Sequence, residues 1–293
     1  MIKIHLKVFC RLLCLQLPGN AKVKAIVQPG WIGCRNLFHG RILSSRGEYF
    51  FPVYSGISAP VEDGQGGDPE TMQVSGYELY TAQFGASPDK VFRSLEQHPY
   101  VGGGYAWTGW DYLGEPTPYY LARSSYSGII DLAGFRKDRF YLYQAHWRPD
   151  YPMAHLVPHW NWKGHDGTGI PVHLFTSGDE AELFLNGRSL GRKKTGPYEY
   201  RLRWNDVSYE PGELKAVSYK EGEPWAETVI RTTGCPASIQ AEADREIIRA
   251  DGKDLAFITV QVVDEEFLPV YLHAFARVMK APSMFFAIRT SSA

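Results

Sequence analysis

The sequence predicts an α/β segment followed by an all-β sandwich, and three observations carry that prediction. A helical stretch with its own start and stop signals (residues 87–99) runs directly into an extended apolar one (101–114), the helix-to-strand step of a parallel α/β fold. Beyond about Gln144 the pattern changes to short alternating runs separated by Gly, Asn, Asp or Pro at roughly 8–12-residue spacing, as in β-sandwiches. Between two of those runs sits Asn186-Gly187, the dipeptide that favours a tight hairpin turn.

Taken in order, residues 1–17 carry Lys3 and Lys7 before an apolar run, but Arg11 splits it and no clean small-residue cleavage site follows. A signal peptide is therefore not convincing, and a periplasmic or extracellular location is left open. Residues 46–60 are aromatic and then Pro/Gly-rich, and EDGQGGDPE (62–70) reads as an exposed loop. In the helix, Ser87 is the expected N-cap and Pro88 the first helical residue. Val91, Phe92 and Leu95 share a face until His98-Pro99 ends it. VGGGYAWTGWDYLG (101–114) reads as a buried strand. Six strands are expected from HLFTSG, EAELFLNG, RSLGRKK, EYRLRWN, GELKAVSYK and WAETVIRTT, and about three more from residues 238–270. The tail from Tyr271 fits neither period.

Composition narrows the function classes. The 293 residues hold 31 Lys+Arg against 32 Asp+Glu, a net charge of −1, so no basic field draws in nucleic acid or an anionic membrane. No run approaches the ~20 apolar residues of a membrane-spanning helix. Cys10, Cys14, Cys34 and Cys235 show no metal-ligand spacing and no disulfide framework. Neither a cofactor nor a metal is expected. His146, His155, His159, His165 and His173 are too irregularly spaced for a metal site, and Trp147, Trp160 and Trp162 among them are expected to pack the junction before the sandwich. The basic run Arg188, Arg192, Lys193 and Lys194 reads as a solvated hairpin face. The 14% aromatic content suits either β-structure or stacking on sugars.

Residues 101–144 are the most specific stretch. Trp107-Thr108-Gly109-Trp110-Asp111-Tyr112, Gly114 to Pro118 (GEPTP), Arg123 to Tyr126 (RSSY), Gly128 to Asp131 (GIID) and the pair Lys137-Asp138 occur together. This run resembles the end of the catalytic barrel in glycoside hydrolase family 2, in its β-galactosidase-like branch. Residues 43–53 resemble the stretch after barrel strand seven, and 150–233 the immunoglobulin-like domain that follows the barrel. The resemblance implies an α/β barrel remnant, the last part of a TIM barrel, followed by an immunoglobulin-like sandwich. Its domains are residues 43–145 from the barrel, 150–233 as the sandwich and 236–270 as the start of a second such domain, with 1–42 and 271–293 outside the match.

The implied activity is retaining hydrolysis of terminal β-galactosides, which needs two carboxyl groups about 5–5.5 Å apart, one ionised and one protonated. In the family the acid lies on strand four and the nucleophile on strand seven. Strand four is not matched by this chain, and no carboxylate lies between Ile32 and Arg46. Shifted by one base, Cys34 to His39 are compatible with Ala-Glu-Thr-Ser-Ser-Thr, the family's nucleophile motif, so a frameshift is expected upstream of about Leu43, with another near Val270. No catalytic residue is assigned within the chain.

By the same resemblance Trp107 binds substrate, as the floor under the terminal sugar, although on the residues alone a Trp after three glycines reads as core. Asp111 and Glu115 flank one loop without reason to converge; a solvated role, or pairing with Arg123, is expected. Arg123, Ser124, Ser125 and Tyr126 are expected to fix the loop over the site, while Ser127 and Arg136 depart from the family pattern. Residues 46–145 are expected to fold poorly in isolation and 150–233 to be stable. The competing reading is a noncatalytic carbohydrate-binding or spacer module. Such a module would show an aromatic platform on the sandwich, which AELFLNGRSLG does not offer. Glucuronide or mannoside is the alternative sugar.

Overall fold

The computed structural model describes residues 2–3, 63–68, 73–114, 117, 119–122, 124–249, 254–270 and 283–289. The expectations for residues 4–62, including both the leader and the displaced nucleophile motif, lie outside them, as do those for Glu115 and Arg123. The described residues form two compact units, one within 42–232 and one combining the first residues with 233 onward.

The first unit is built on a seven-stranded antiparallel sandwich. Its strands are β1 (Ala154–Val157), β2 (Gly169–Thr176), β3 (Glu180–Leu185), β4 (Arg188–Lys194), β5 (Leu202–Ser208), β6 (Glu213–Lys220) and β7 (Glu223–Arg231). They pair as two sheets, β1-β2-β5 and β7-β6-β3-β4. Alternation decides which side chains face inward: Ala181, Leu183 and Leu185 on β3 and Leu214 and Ala216 on β6 are buried between exposed or half-buried neighbours. The six expected strands are present, and β1, which is short and follows Met153, is a seventh that the sequence pattern did not separate from the junction. At the β3–β4 hairpin Asn186 (φ 51°) and Gly187 (φ 79°) both take the left-handed conformation of a type I′ turn. That turn keeps β4 in the sheet of β3, whereas in the constant-type immunoglobulin sandwich the fourth strand joins the other sheet.

β2 breaks the alternation: six consecutive residues, Ile170–Phe175, are buried. One face of the β1-β2-β5 sheet looks into the sandwich, and the other is covered by residues N-terminal to it. Two helices belong to that cover, α1 (Pro88–Gln97) and α2 (Asp138–Trp147). Tyr77 lies against His173 with ring centroids 4.6 Å apart and donates its hydroxyl to the Pro171 carbonyl at 2.5 Å. Tyr141 of α2 stacks on His155 at 3.9 Å, and α2 lies along β1 and β2. Tyr77, Leu79, Phe92, Leu142 and Ala145 thus share one continuous core with the sandwich strands. Burial on both sides explains why β2 shows no apolar/polar alternation.

Helix α1 starts as expected: the Ser87 hydroxyl accepts from the Lys90 N–H and Pro88 opens the helix, with Phe92 its buried residue. Helix α2 has no side-chain cap, and that lack of a start signal is why its span carried no helix prediction. The expected buried strand at 101–114 is corrected. Tyr105, Trp107, Trp110 and Leu113 are exposed, and pairing is limited to isolated bridges, Trp110↔Ile130 (parallel) and Leu113↔Ser124 (antiparallel). An internal strand needs partners on both edges and cover on both faces; here the 107–112 segment bonds along Ser124–Ile130. Among the described residues the α/β portion is therefore two helices, a two-residue antiparallel ladder (Gly67–Asp68 with Gln73–Val74) and isolated bridges of which one is parallel, not a parallel sheet.

The second unit pairs β8 (Ser238–Ala243), β9 (Leu255–Val263) and β10 (Ser283–Arg289) in one antiparallel sheet. A two-residue ladder joins Ile2–Lys3 to Ile247–Ile248. β10 falls in the tail to which no period was assigned. Asp264 organises the turn after β9, accepting from the N–H groups of Gly234, Glu266 and Leu268.

Candidate carbohydrate site

The site is a short extended segment, Trp107–Leu113, held from behind. Thr108 donates its N–H to Ser127 O (3.1 Å), Ile129 to Thr108 O (2.9 Å), Ile130 to Gly109 O (3.0 Å) and Asp111 to Ile130 O (2.8 Å). Gly128 is required where these chains meet, because a Cβ there would lie 2.1 Å from the Asp111 nitrogen. Tyr112 is held at both backbone groups: its N–H donates to Ser125 Oγ at 3.0 Å and its carbonyl accepts from the Ser125 N–H at 2.8 Å. The Ser124 hydroxyl donates to Ser125 O (2.9 Å) and reaches Tyr112 O at 3.4 Å. Ser124 and Ser125 thus fix the loop, and Tyr126 packs beside Tyr80 and Tyr119 with centroids 6.4 and 6.1 Å away.

Asp111 is not solvated. It is buried, accepts from Gly128 N–H (2.7 Å) and forms an ion pair with Lys137 Nζ at 2.9 Å, while Lys137 also donates to Tyr126 O. Burial pushes the Asp111 carboxyl up and the Lys137 ammonium down, each opposed by the partner's charge. Asp131, fully buried, accepts from Ala133 and Phe135 N–H through Oδ1, and burial pushes it up to about 6. Its Oδ2 has no hydrogen-bond partner among the described residues. These carboxylates staple backbone and do not face the exposed surface. Lys137 was visible in sequence only as half of the Lys-Asp pair; its partner lies 26 residues away.

Trp107 stands on the outside, 73% exposed, with its peptide to Thr108 cis. Its Nε1 donates to the Tyr112 hydroxyl at 3.2 Å, the two rings meeting edge to face at 6.3 Å. The exposed rings of Tyr105 and Trp110 lie in the same segment. Tyr105–Leu113 contains no Lys or Arg, and its one carboxylate is Asp111, already committed. Arg139, nearby in the network, is spent on Glu78 (2.6 Å) and Ser127 O (2.8 Å). Chemically, the described segment presents exposed aromatic rings with no unpaired charge of its own.

The histidines disperse. His155 meets Asp138 at 2.5 Å, His146 stacks on Phe92 at 3.9 Å, and His159 stacks on Trp162 at 4.6 Å. His173 is buried with neither ring nitrogen hydrogen-bonded among the described residues, and burial, with Arg201 and Arg203 nearby, holds it well below its ordinary value. No three metal-ligating side chains converge among the described residues. Trp160 and Trp162 are buried in the core of the sandwich itself, with Trp160 against Tyr209 and Trp162 against His159, and Trp147 is over half exposed beside Tyr143. The basic hairpin is exposed and paired: Arg188 with Glu210, Arg192 and Lys194 with Glu180, and Lys193 with Arg203 O.

Residues 167–226 match a domain of unknown function (DUF4982). A β-galactosidase of Bacteroides ovatus is 41% identical over 226 residues, 76% of this chain and 26% of that protein. A putative β-glucuronidase of Formosa agariphila is 35% identical over 210 residues, 69% of this chain and 19% of that protein. The chain thus spans about a quarter or less of these relatives. Among solved structures, a glycosyl hydrolase family 2 member from Bacteroides cellulosilyticus superposes with a TM-score of 0.61 at 25% identity, covering 70% of this chain and 35% of that one.

Proposed function

The chain belongs to glycoside hydrolase family 2, and from that premise we propose that it is the closing part of a retaining exo-glycosidase acting on terminal β-galactosides. Residues 43–145 end the catalytic barrel, 150–233 form the sandwich behind it, and Trp107 is the floor against which the terminal sugar lies. The observation that carries this reading is an exposed indole, hydrogen-bonded to Tyr112, in a segment without cations. A flat aromatic face covers the apolar C–H face of galactose. A glucuronide would place a carboxylate on the same surface, and among the described residues the cations of the network behind it, Lys137 and Arg139, are already neutralised by Asp111 and Glu78.

Neither buried aspartate serves as acid or nucleophile: Asp111 is committed to the Gly128 N–H and Lys137, and Asp131 accepts two backbone N–H groups through Oδ1 while its Oδ2 is buried away from the surface. The acid and nucleophile come from sequence that this chain does not present, so it is inactive by itself. The test compares turnover of aryl β-D-galactoside, β-D-glucuronide and β-D-mannoside by this chain and by the gene extended upstream with its frame restored. The expected result is no turnover by the chain and preferred, configuration-retaining galactoside hydrolysis by the extended enzyme. In the latter, Trp107→Ala removes about 3 kcal/mol of stacking and apolar cover, roughly a hundredfold in kcat/KM. Preference for the glucuronide, or turnover by the chain alone, overturns the assignment.

A further inference from the structure

We infer that Tyr112 is a positioning residue for Trp107, and that the Ser125 clamp on the Tyr112 backbone is what lets it act as one. The inference rests on Trp107 being the sugar platform. An indole that is 73% exposed has little packing to choose its rotamer, so its orientation depends on directional contacts. The hydrogen bond that Trp107 makes is the one to the Tyr112 hydroxyl at 3.2 Å, reinforced by the edge-to-face contact at 6.3 Å. A tyrosine can orient a neighbour only if its own position is determined. Tyr112 is held by two reciprocal bonds to Ser125, at 3.0 and 2.8 Å, and its predecessor Asp111 is pinned by Gly128 and Lys137. The chain of support runs from the buried ion pair through the backbone of Tyr112 to an exposed ring. A single net hydrogen bond corresponds to about a two- to tenfold bias in population. A platform present in the wrong orientation binds more weakly in proportion to the fraction lost.

The test uses the full chain labelled with 5-fluorotryptophan, each resonance assigned by substitution, in wild type, Tyr112→Phe and Ser125→Ala. Tyr112→Phe keeps the ring and removes the hydroxyl. The resonances of the buried Trp160 and Trp162 report whether each variant is folded. The expected result is that those two stay in place while the Trp107 resonance shifts or splits in both variants, and that the dissociation constant for D-galactose, read at Trp107, rises about two- to tenfold. A Trp107 resonance of unchanged position and width in folded Tyr112→Phe overturns the inference. Failure of the platform itself looks different: wild-type Trp107 would then ignore D-galactose, whatever the variant spectra show without sugar.

Discussion

Replacing Asp89 by Ala strikes the link between α1 and the sandwich. Arg201, at the entry to β5, has a side chain only 1% exposed, and Asp89 on α1 is 19% exposed. The guanidinium donates to both Asp89 oxygens, through Nε at 2.9 Å and through Nη2, and through Nη1 to the Tyr77 carbonyl; it also lies 5.0 Å from the Phe175 ring centroid. Without Asp89 the charge stays buried with one carbonyl partner. Orphaning a buried ion costs about 3–5 kcal/mol, and the retained carbonyl and partial water access near Asp89 place this case near 3 kcal/mol. With a urea slope of about 2 kcal/mol per M, the midpoint falls by about 1.5 M. Asp89→Ala combined with Arg201→Met removes the stranded charge and should recover most of the loss, leaving a deficit of about 1 kcal/mol. Urea unfolding followed by fluorescence and circular dichroism measures both. A single-variant loss under about 1 kcal/mol, or a double variant as unstable as the single, refutes the view that this pair ties the N-terminal segment to the sheet.

Two further changes probe the turns. Asn186→Ala places a Cβ residue without side-chain bonds at φ 51° and removes contacts to Glu213 N–H (2.8 Å) and Pro211 O (3.1 Å). About 2–3 kcal/mol should be lost, seen as a lower Tm, and a change within about 0.5 kcal/mol would contradict the role given to this turn. Asp131 titrates at about 6 when folded against an ordinary 3.8, chiefly because burial disfavours the charge. Between those values the folded protein keeps a proton that the unfolded chain has lost, so this group's contribution to stability declines as pH rises from about 4 to 6 and is level above. Asp131→Asn should therefore gain on wild type across that interval; a difference independent of pH between 4 and 7 would show that the carboxyl is not perturbed in this way.

Much of this molecule is legible residue by residue. Alternation marks Leu183 and Leu185 as inward-facing, Ser87-Pro88 starts α1, and Asn186-Gly187 sets a turn whose conformation few other dipeptides adopt. These signals are local, written within a few residues, and the motif run of residues 101–144 carried the family resemblance in the same way. The burial of Asp111 was not legible, because its partner Lys137 is chosen by the fold and not by spacing. Nor was the exposure of Trp107, since three glycines and a Trp are as compatible with a core strand as with an open surface.

The sequence by itself determined where the strands and turns of the sandwich fall, how the first helix begins and which family the motif belongs to. Only the tertiary structure decided that the outer face of the β1-β2-β5 sheet is covered by Tyr77 and α2, that Arg201 reaches back 112 residues to Asp89, and that Trp107 is exposed with its Nε1 bonded to the Tyr112 hydroxyl. The reason is physical: backbone conformation responds to near neighbours, whereas burial, ion pairing and the aim of a side chain depend on groups that only folding brings together.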